Sequence, residues 1–382
     1  MKRIAFITCL SSAAGSLGVE KRMAEQAAAA RGLGLPMDFI YVNHSRQVES
    51  PGVRFVPILP GDGPPALWRY GSLARQVDLD RYDALVLRWS GGDFSAYSAF
   101  FRENASRMVT EHHTKEEEEI LVLGGAAVKK YVKYGMERVL GRRMLRQVAG
   151  IVGVTDEIAQ YEAARSGSRA PLAVITNGIP TRSLPPVRYR PFDGKNLTIL
   201  FPSTFFSPWQ GLDRLAKSLL AFDPGPVSVR LVVVGNVPPA LNPILDQLNA
   251  RQGFTVERPG TVYGLALDEL YDQAQLGMSV LGLHRKGMAQ ACALKTRDFA
   301  ARGLPFVLGY DDPDFREDLD FVFRVPSDES LVDFDRVVSF LETNCSAPDI
   351  TERMRAFAAD RLDWDAKVKK LYEFACRAAA GE

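Results

Sequence analysis

The sequence predicts an α/β protein of two Rossmann-like domains, each built on a parallel sheet, facing across a cleft. Three observations lead there. Short apolar runs alternate with helix-like stretches, the pattern of βαβ units around a parallel sheet. The pattern breaks at residues 181–195, TRSLPPVRYRPFDGK, which are rich in Pro and Arg and lack periodicity, and then it restarts. The 382 residues, 46% hydrophobic and 24% charged, suit two globular domains of ordinary size.

In the first half, residues 4–10 form an apolar strand, followed by a small-residue loop at 11–18, SSAAGSLG. Residues 19–31 read as a helix stopped by Gly32. Further strands are expected at 39–42, 53–58, 84–88, 107–110, 151–155 and 173–176. The Glu116–Glu119 run reads as a solvated helix face. In the second half, strands are expected at 198–201, 229–234, 254–256 and 276–283, alternating with helices at 211–221, 239–251 and 268–274. The closing stretch, 362–377, is an amphipathic helix with Trp364, Val368, Leu371, Tyr372 and Ala375 on one side.

A net charge of +1 gives no global signal for nucleic acid. Cys9, Cys292, Cys345 and Cys376 are scattered, as expected of reduced thiols in a cytosolic protein. The opening MKRIAFITCL reads as a first strand rather than a signal peptide, and no run approaches the 18 apolar residues of a membrane span.

The chemistry concentrates at residues 281–310. The apolar strand at 276–283 runs into His284, Arg285, Lys286 and Gly287; a helix follows with Lys295, Arg297 and Asp298 in its first turns, then the strand FVLGY. A strand end that delivers cations and glycine to a helix N-terminus is where an α/β protein binds phosphate. Helix amides favour the anion, and Lys or Arg supplies countercharge.

The strings LGLHRKG and LKTRDFAARGLPF resemble the nucleotide-sugar-binding segment of GT-B glycosyltransferases of the retaining, GT4-like kind, in the branch that makes capsular and other exported polysaccharides. The resemblance extends over essentially the whole chain. It implies a GT-B fold, with an acceptor-side domain at 1–180, a linker at 181–195 and a nucleotide-sugar-binding domain at 196–361. The helix at 362–382 would cross back to the first domain. It also implies sugar transfer from a nucleotide diphosphate sugar, of UDP or GDP type, to a hydroxyl acceptor such as a lipid-linked glycan, with retention and without metal or other cofactor.

By the same resemblance, Lys295 and Arg285 would stabilise the leaving diphosphate, with His284 beside them. Asp298, standing where the family has Glu, would accept hydrogen bonds from the donor ribose. The family's other Glu falls at Gln290, which cannot ionise, so the usual carboxylate contact to the transferred sugar is altered. The segment STFFSPWQGLD places Ser203, Trp209 and Gln210 in the donor loop, with Phe205 and Gln210 where many relatives carry Arg and Lys. Gly235 and the GTVYG segment with Val262 and Tyr263 would meet the nucleoside. In the first half, Glu111-His112-His113-Thr114 resembles an E-x-H-T segment in which a His lies near the transferred sugar, and either His112 or His113 could face inward. Gly15, Ser16 and Gly18 would form a loop meeting donor or acceptor.

Residues 129–146 hold seven cations and one acid interleaved with Tyr131, Tyr134, Val139 and Leu145, a pattern suited to an anionic inner-leaflet surface. Two other readings compete: a non-catalytic sugar-nucleotide-binding subunit of a polysaccharide assembly complex, and a nucleotide-sugar epimerase.

Overall fold

The computed structural model describes residues 1–10, 16–45, 50–61, 68–91, 99–122, 127–316 and 318–382. The chain divides into two compact units, Met1–Thr176 together with Trp364–Glu382, and Asn177–Asp363.

The first unit is built on a seven-stranded parallel sheet. Its strands are β1 (Ile4–Cys9), β2 (Met37–Asn43), β3 (Val53–Pro57), β4 (Ala84–Arg88), β5 (Met108–His112), β6 (Gly150–Gly153) and β7 (Leu172–Val174), in spatial order β3-β2-β1-β4-β5-β6-β7. Ile4 pairs with Met37 on one side and Ala84 on the other, so β1 and β4 form the central pair, buried except at Arg88. The second unit repeats the plan with β8 (Asn196–Phe205), β9 (Ser228–Asn236), β10 (Phe254–Gly260), β11 (Leu276–Met278), β12 (Phe306–Leu308) and β13 (Val322–Arg324), in order β10-β9-β8-β11-β12-β13. In each sheet the chain winds outward in both directions from a central pair. The C-terminal ends of β8 and β11 therefore flank a crevice, the topological switch point where such sheets bind ligands.

The predicted fold class is the one observed. The final helix, Trp364–Ala378, belongs to the first unit. Its apolar side buries Trp364, Val368, Leu371 and Ala375 in one core with Ile4, Phe6 and Val109. Val368 and Leu371 each contribute about 1.5–3 kcal/mol relative to exposure. Trp364 Nε1 donates to Glu25 (3.0 Å), and the Tyr372 hydroxyl donates to the Lys2 carbonyl (2.7 Å). The Pro-rich segment 181–195 belongs to the second unit: Val187 N donates to Arg302 O (2.9 Å), and Arg188 N donates to Asp272 (2.8 Å).

Three expectations are corrected. The strand expected at 276–283 ends at Met278. Beyond it, Leu281 N and Gly282 N donate to Gln210 O and Trp209 O (3.0 and 3.1 Å), so the backbone leaves the sheet to pair with a turn. The first helix begins at Ser16, which puts Ser16 and Gly18 in its first turn rather than in a loop. Gly15 lies outside the described residues. Finally, Glu116 and Glu117 are buried rather than solvated. Arg142 binds Glu117 through two hydrogen bonds of 2.8 Å, and Arg165 reaches Glu117 at 3.2 Å.

Candidate active site

In the second unit, the switch-point crevice carries most of the expected donor residues. The turn Pro208–Gln210 follows β8 and packs backbone to backbone on 281–282. Gly211 closes it at φ +75°, where a Cβ would stand 2.7 Å from that of Leu281. Gly235, the penultimate residue of β9, has φ +125° and lies against Ser203: a Cβ there would sit 1.6 Å from the Ser203 carbonyl oxygen. Gly211 thus lets the turn after β8 approach the segment after β11, and Gly235 lets the end of β9 approach the end of β8.

Lys295 is in the first turn of the helix Leu294–Arg302, whose N-terminus has no side-chain cap. Its Nζ donates to Gln210 Oε1 (2.7 Å) and lies 4.7 Å from the centroid of Phe201. Among the described residues no carboxylate pairs with it. Burial pushes its ammonium down to about 7, as expected of a cation without countercharge. Helix amides and a cation without a counter-ion thus share one end of the sheet, which defines a seat for an anion.

Arg285 is differently placed. Its guanidinium makes bidentate contacts to Asp213 (2.8 and 3.0 Å) and Glu329 (2.7 and 2.7 Å), and Nη1 also donates to Pro208 O (2.7 Å). All five donors are engaged. His284 Nε2 lies 2.7 Å from the same Glu329. Asp298 accepts from the Tyr271 hydroxyl and, at 3.1 Å, from Arg302 Nε. Gln290 Nε2 donates to Asp311 (2.9 Å), so a carboxylate stands beside this amide. The Trp209 ring receives Lys286 Nζ at 4.8 Å from its centroid. Beyond β9 and β10 lies a cavity of about 590 Å³, lined by Gly235, Asn236, Asp246, Arg258 and Thr261 among others. Val262 is half-buried and Tyr263 exposed immediately after it.

Cys292, Asp312 and Asp314 approach one another closely enough to hold a cation. Arg297, fully buried, already pairs with both carboxylates.

In the first unit, the two histidines point oppositely. His112, the last residue of β5, is 0% exposed and lies beneath the sheet against Trp89, with Nδ1 3.6 Å from Glu162. His112 is thus enclosed, and of the two histidines His113 is the one with exposed surface. His113, with its side chain 18% exposed, is held by Arg22 and by Glu111 (2.9 Å). Burial, and then Arg22, push its imidazole down to about 3, so it is neutral throughout the physiological range. Burial works against ionisation of Glu111, but Arg22 and His113 hold it well below the usual carboxylate range.

Sequence reasoning did not single out Arg22, Asp311 or Glu329. Arg22 is 91 residues from His113 and Glu329 is 44 from Arg285, so no local pattern links them.

Residues 18–178 match the model of a glycosyl transferase 4-like domain. No curated protein matches the sequence. The structure is similar to a glycosyltransferase from Rickettsia africae, at 14% identity over 99% of both chains with a TM-score of 0.68. It is similar to sucrose-phosphate synthase from Thermosynechococcus elongatus, at 13% identity over 100% of both chains with a TM-score of 0.70. Against Anabaena HepE in complex with UDP, identity is 14% over 97% of this chain and 98% of that one, with a TM-score of 0.61. The fold is therefore the GT-B fold of these structures.

Proposed function

We propose that this protein is a glycosyltransferase that moves a sugar from a nucleotide diphosphate sugar to a hydroxyl acceptor, retaining the anomeric configuration and requiring no metal. The observation that carries the reading is Lys295, a half-buried cation with no carboxylate partner among the described residues, at the switch point beside uncapped helix amides. When the bond between the anomeric carbon and the phosphate oxygen breaks, that oxygen keeps the electron pair. A fixed ammonium stabilises the growing charge. The acceptor hydroxyl attacks the face the diphosphate vacates. His113, neutral and partly exposed at the end of β5, is suited to a hydrogen bond with a sugar hydroxyl rather than to proton transfer. The match at 18–178 supports the class, and HepE, crystallised with UDP-glucose, puts UDP first among donors to test.

The test is thermal shift with UDP, GDP, ADP, CMP and dTDP on wild type and Lys295→Ala. A ligand that binds only the native state raises its melting temperature. One nucleotide is expected to stabilise wild type and not the variant. If none stabilises wild type, the donor-site reading fails.

We further propose that the acceptor is lipid-linked and that the first unit docks on an anionic membrane in carrying out the transfer. The helix Ala127–Met136 has no buried residue. Val128, Tyr131 (63% exposed) and Val132 (54%) form an open apolar stripe beside Lys129, Lys130 and Lys133. The helical run continues through residues 137–145, where Leu140, Met144 and Leu145 are buried, so the first unit holds the open stripe at its C-terminal end. Among the described residues no helix is long and apolar enough to span a membrane. In sedimentation with phosphatidylglycerol-containing vesicles, Y131E combined with V132E is expected to weaken binding about tenfold or more. Wild type that stays in the supernatant would sink the idea.

A further inference from the structure

The five donors of Arg285 are satisfied by unequal partners. Asp213 lies on the helix Leu212–Ala221 with its side chain 26% exposed, whereas the Glu329 side chain is 58% exposed. The backbone that presents Glu329 is pinned. Arg214, 1% exposed, donates to Pro326 O (3.0 Å) and Ser330 O (2.7 Å), and Val332 N donates to Ser218 Oγ (2.9 Å). Glu329 can therefore swing away by side-chain rotation alone while Asp213 keeps the guanidinium oriented.

What the carboxylate touches has the form of an anion seat. Arg285 Nε and Nη2 meet it in the planar bidentate manner that suits carboxylate and phosphate equally. His284 Nε2 meets the same carboxylate at 2.7 Å. The seat adjoins Lys295: Arg285 donates to the Pro208 carbonyl, and Lys295 donates to the Gln210 side chain of the same turn. Beside this turn Lys295 meets an amide oxygen, whereas Arg285 carries two carboxylates.

We propose that Glu329 is a placeholder for phosphate: in the unliganded protein its carboxylate fills the seat made by Arg285 and His284, and a nucleotide diphosphate displaces it on binding. The proposal rests on the donor-site reading above. Exchange of one anion for another leaves no buried charge uncompensated at any stage, and an exposed ion pair is weak enough to yield. Glu329 then acts as a competitor within the chain. It excludes weakly bound anions from the seat and sets the affinity for the diphosphate.

The experiment is isothermal titration calorimetry of UDP, GDP, ADP and dTDP with wild type, Glu329→Gln, Glu329→Ala and Lys295→Ala, each checked for a cooperative melting transition. The nucleotide that binds wild type is expected to bind both Glu329 variants about three- to fivefold more tightly. Binding to Lys295→Ala should be lost. Equal or weaker affinity in both Glu329 variants would make Glu329 a permanent support of Arg285 and overturn the proposal, while leaving the donor site intact. If no nucleotide binds wild type, the proposal and the donor-site reading fall together.

Discussion

Lys295→Met is expected to lower kcat/KM for sugar transfer about 10²–10³-fold while raising the melting temperature of the unliganded protein. The first effect follows from the proposed role of Lys295 at the leaving group; losing a preorganised donor of this kind costs about that factor. The second follows from the direction of the pKa shift. In the folded state the ammonium is held at about 7 by burial, against 10.5 for the free side chain. The folded protein therefore carries a penalty wherever the lysine must be charged. That penalty is full below pH 7 and fades as pH rises from 7 toward 10.5, because the unfolded chain then binds the extra proton. The stability advantage of the Met variant should be largest at pH 6 and shrink above pH 7. A bound diphosphate reverses the shift, so nucleotide affinity in wild type should fall as pH rises through about 7. Calorimetry at several pH values reads this directly. A pH-independent affinity in wild type would remove Lys295 from the phosphate site.

Both sheets were legible because buried parallel strands read as apolar runs, and each run had its own turn residues. The final helix was legible for a similar reason: Trp364, Val368 and Leu371 keep helical spacing. Lys295 could be singled out because the sequence around it carries a long family resemblance. The strand after Leu276 was over-extended because apolar composition does not reveal where a backbone exchanges sheet partners for a turn, as Leu281 and Gly282 do. Which histidine faces outward depends on the register of β5, which adjacent identical residues cannot specify. The partners of Arg285 and Gln290 were hidden because ion pairs and hydrogen bonds between loops depend on tertiary approach. Asp213 was visible in W-x-G-x-D, but Glu329 sits in an unremarkable surface loop. The acidic run at 116–119 misled for the same reason: its countercharges, Arg142 and Arg165, come from other helices.

That buried acidic cluster carries the second large expectation. Replacing Glu162 by Gln should flatten the fall in stability of wild type between pH 4.5 and 7, and leave the variant the more stable protein at pH 8. Four carboxylates, Glu116, Glu117, Glu137 and Glu162, meet beside His112, with Arg165 and Arg142 as their cations. Two guanidinium charges do not neutralise four carboxylates out of water, so protons are retained. Burial, then Glu162 and Glu137, push Glu116 well above its ordinary range. Burial, aided by Glu137 and opposed by Arg165, pushes Glu162 up to about 7. A raised carboxyl group means the folded state holds its proton more tightly than the unfolded chain. The resulting stability is fully present below pH 4.5 and is lost as pH rises through about 7. Over that window the loss is about 3 kcal/mol. Gln preserves shape and the acceptor that meets Glu116 N, and Arg165 keeps Glu117 (3.2 Å) and Glu137 (2.5 Å), so no buried cation is stranded. Melting temperatures of both proteins at pH 5, 6, 7 and 8 decide the matter. Parallel curves would mean that Glu162 is ionised in the fold and that the retained proton sits on Glu116 alone.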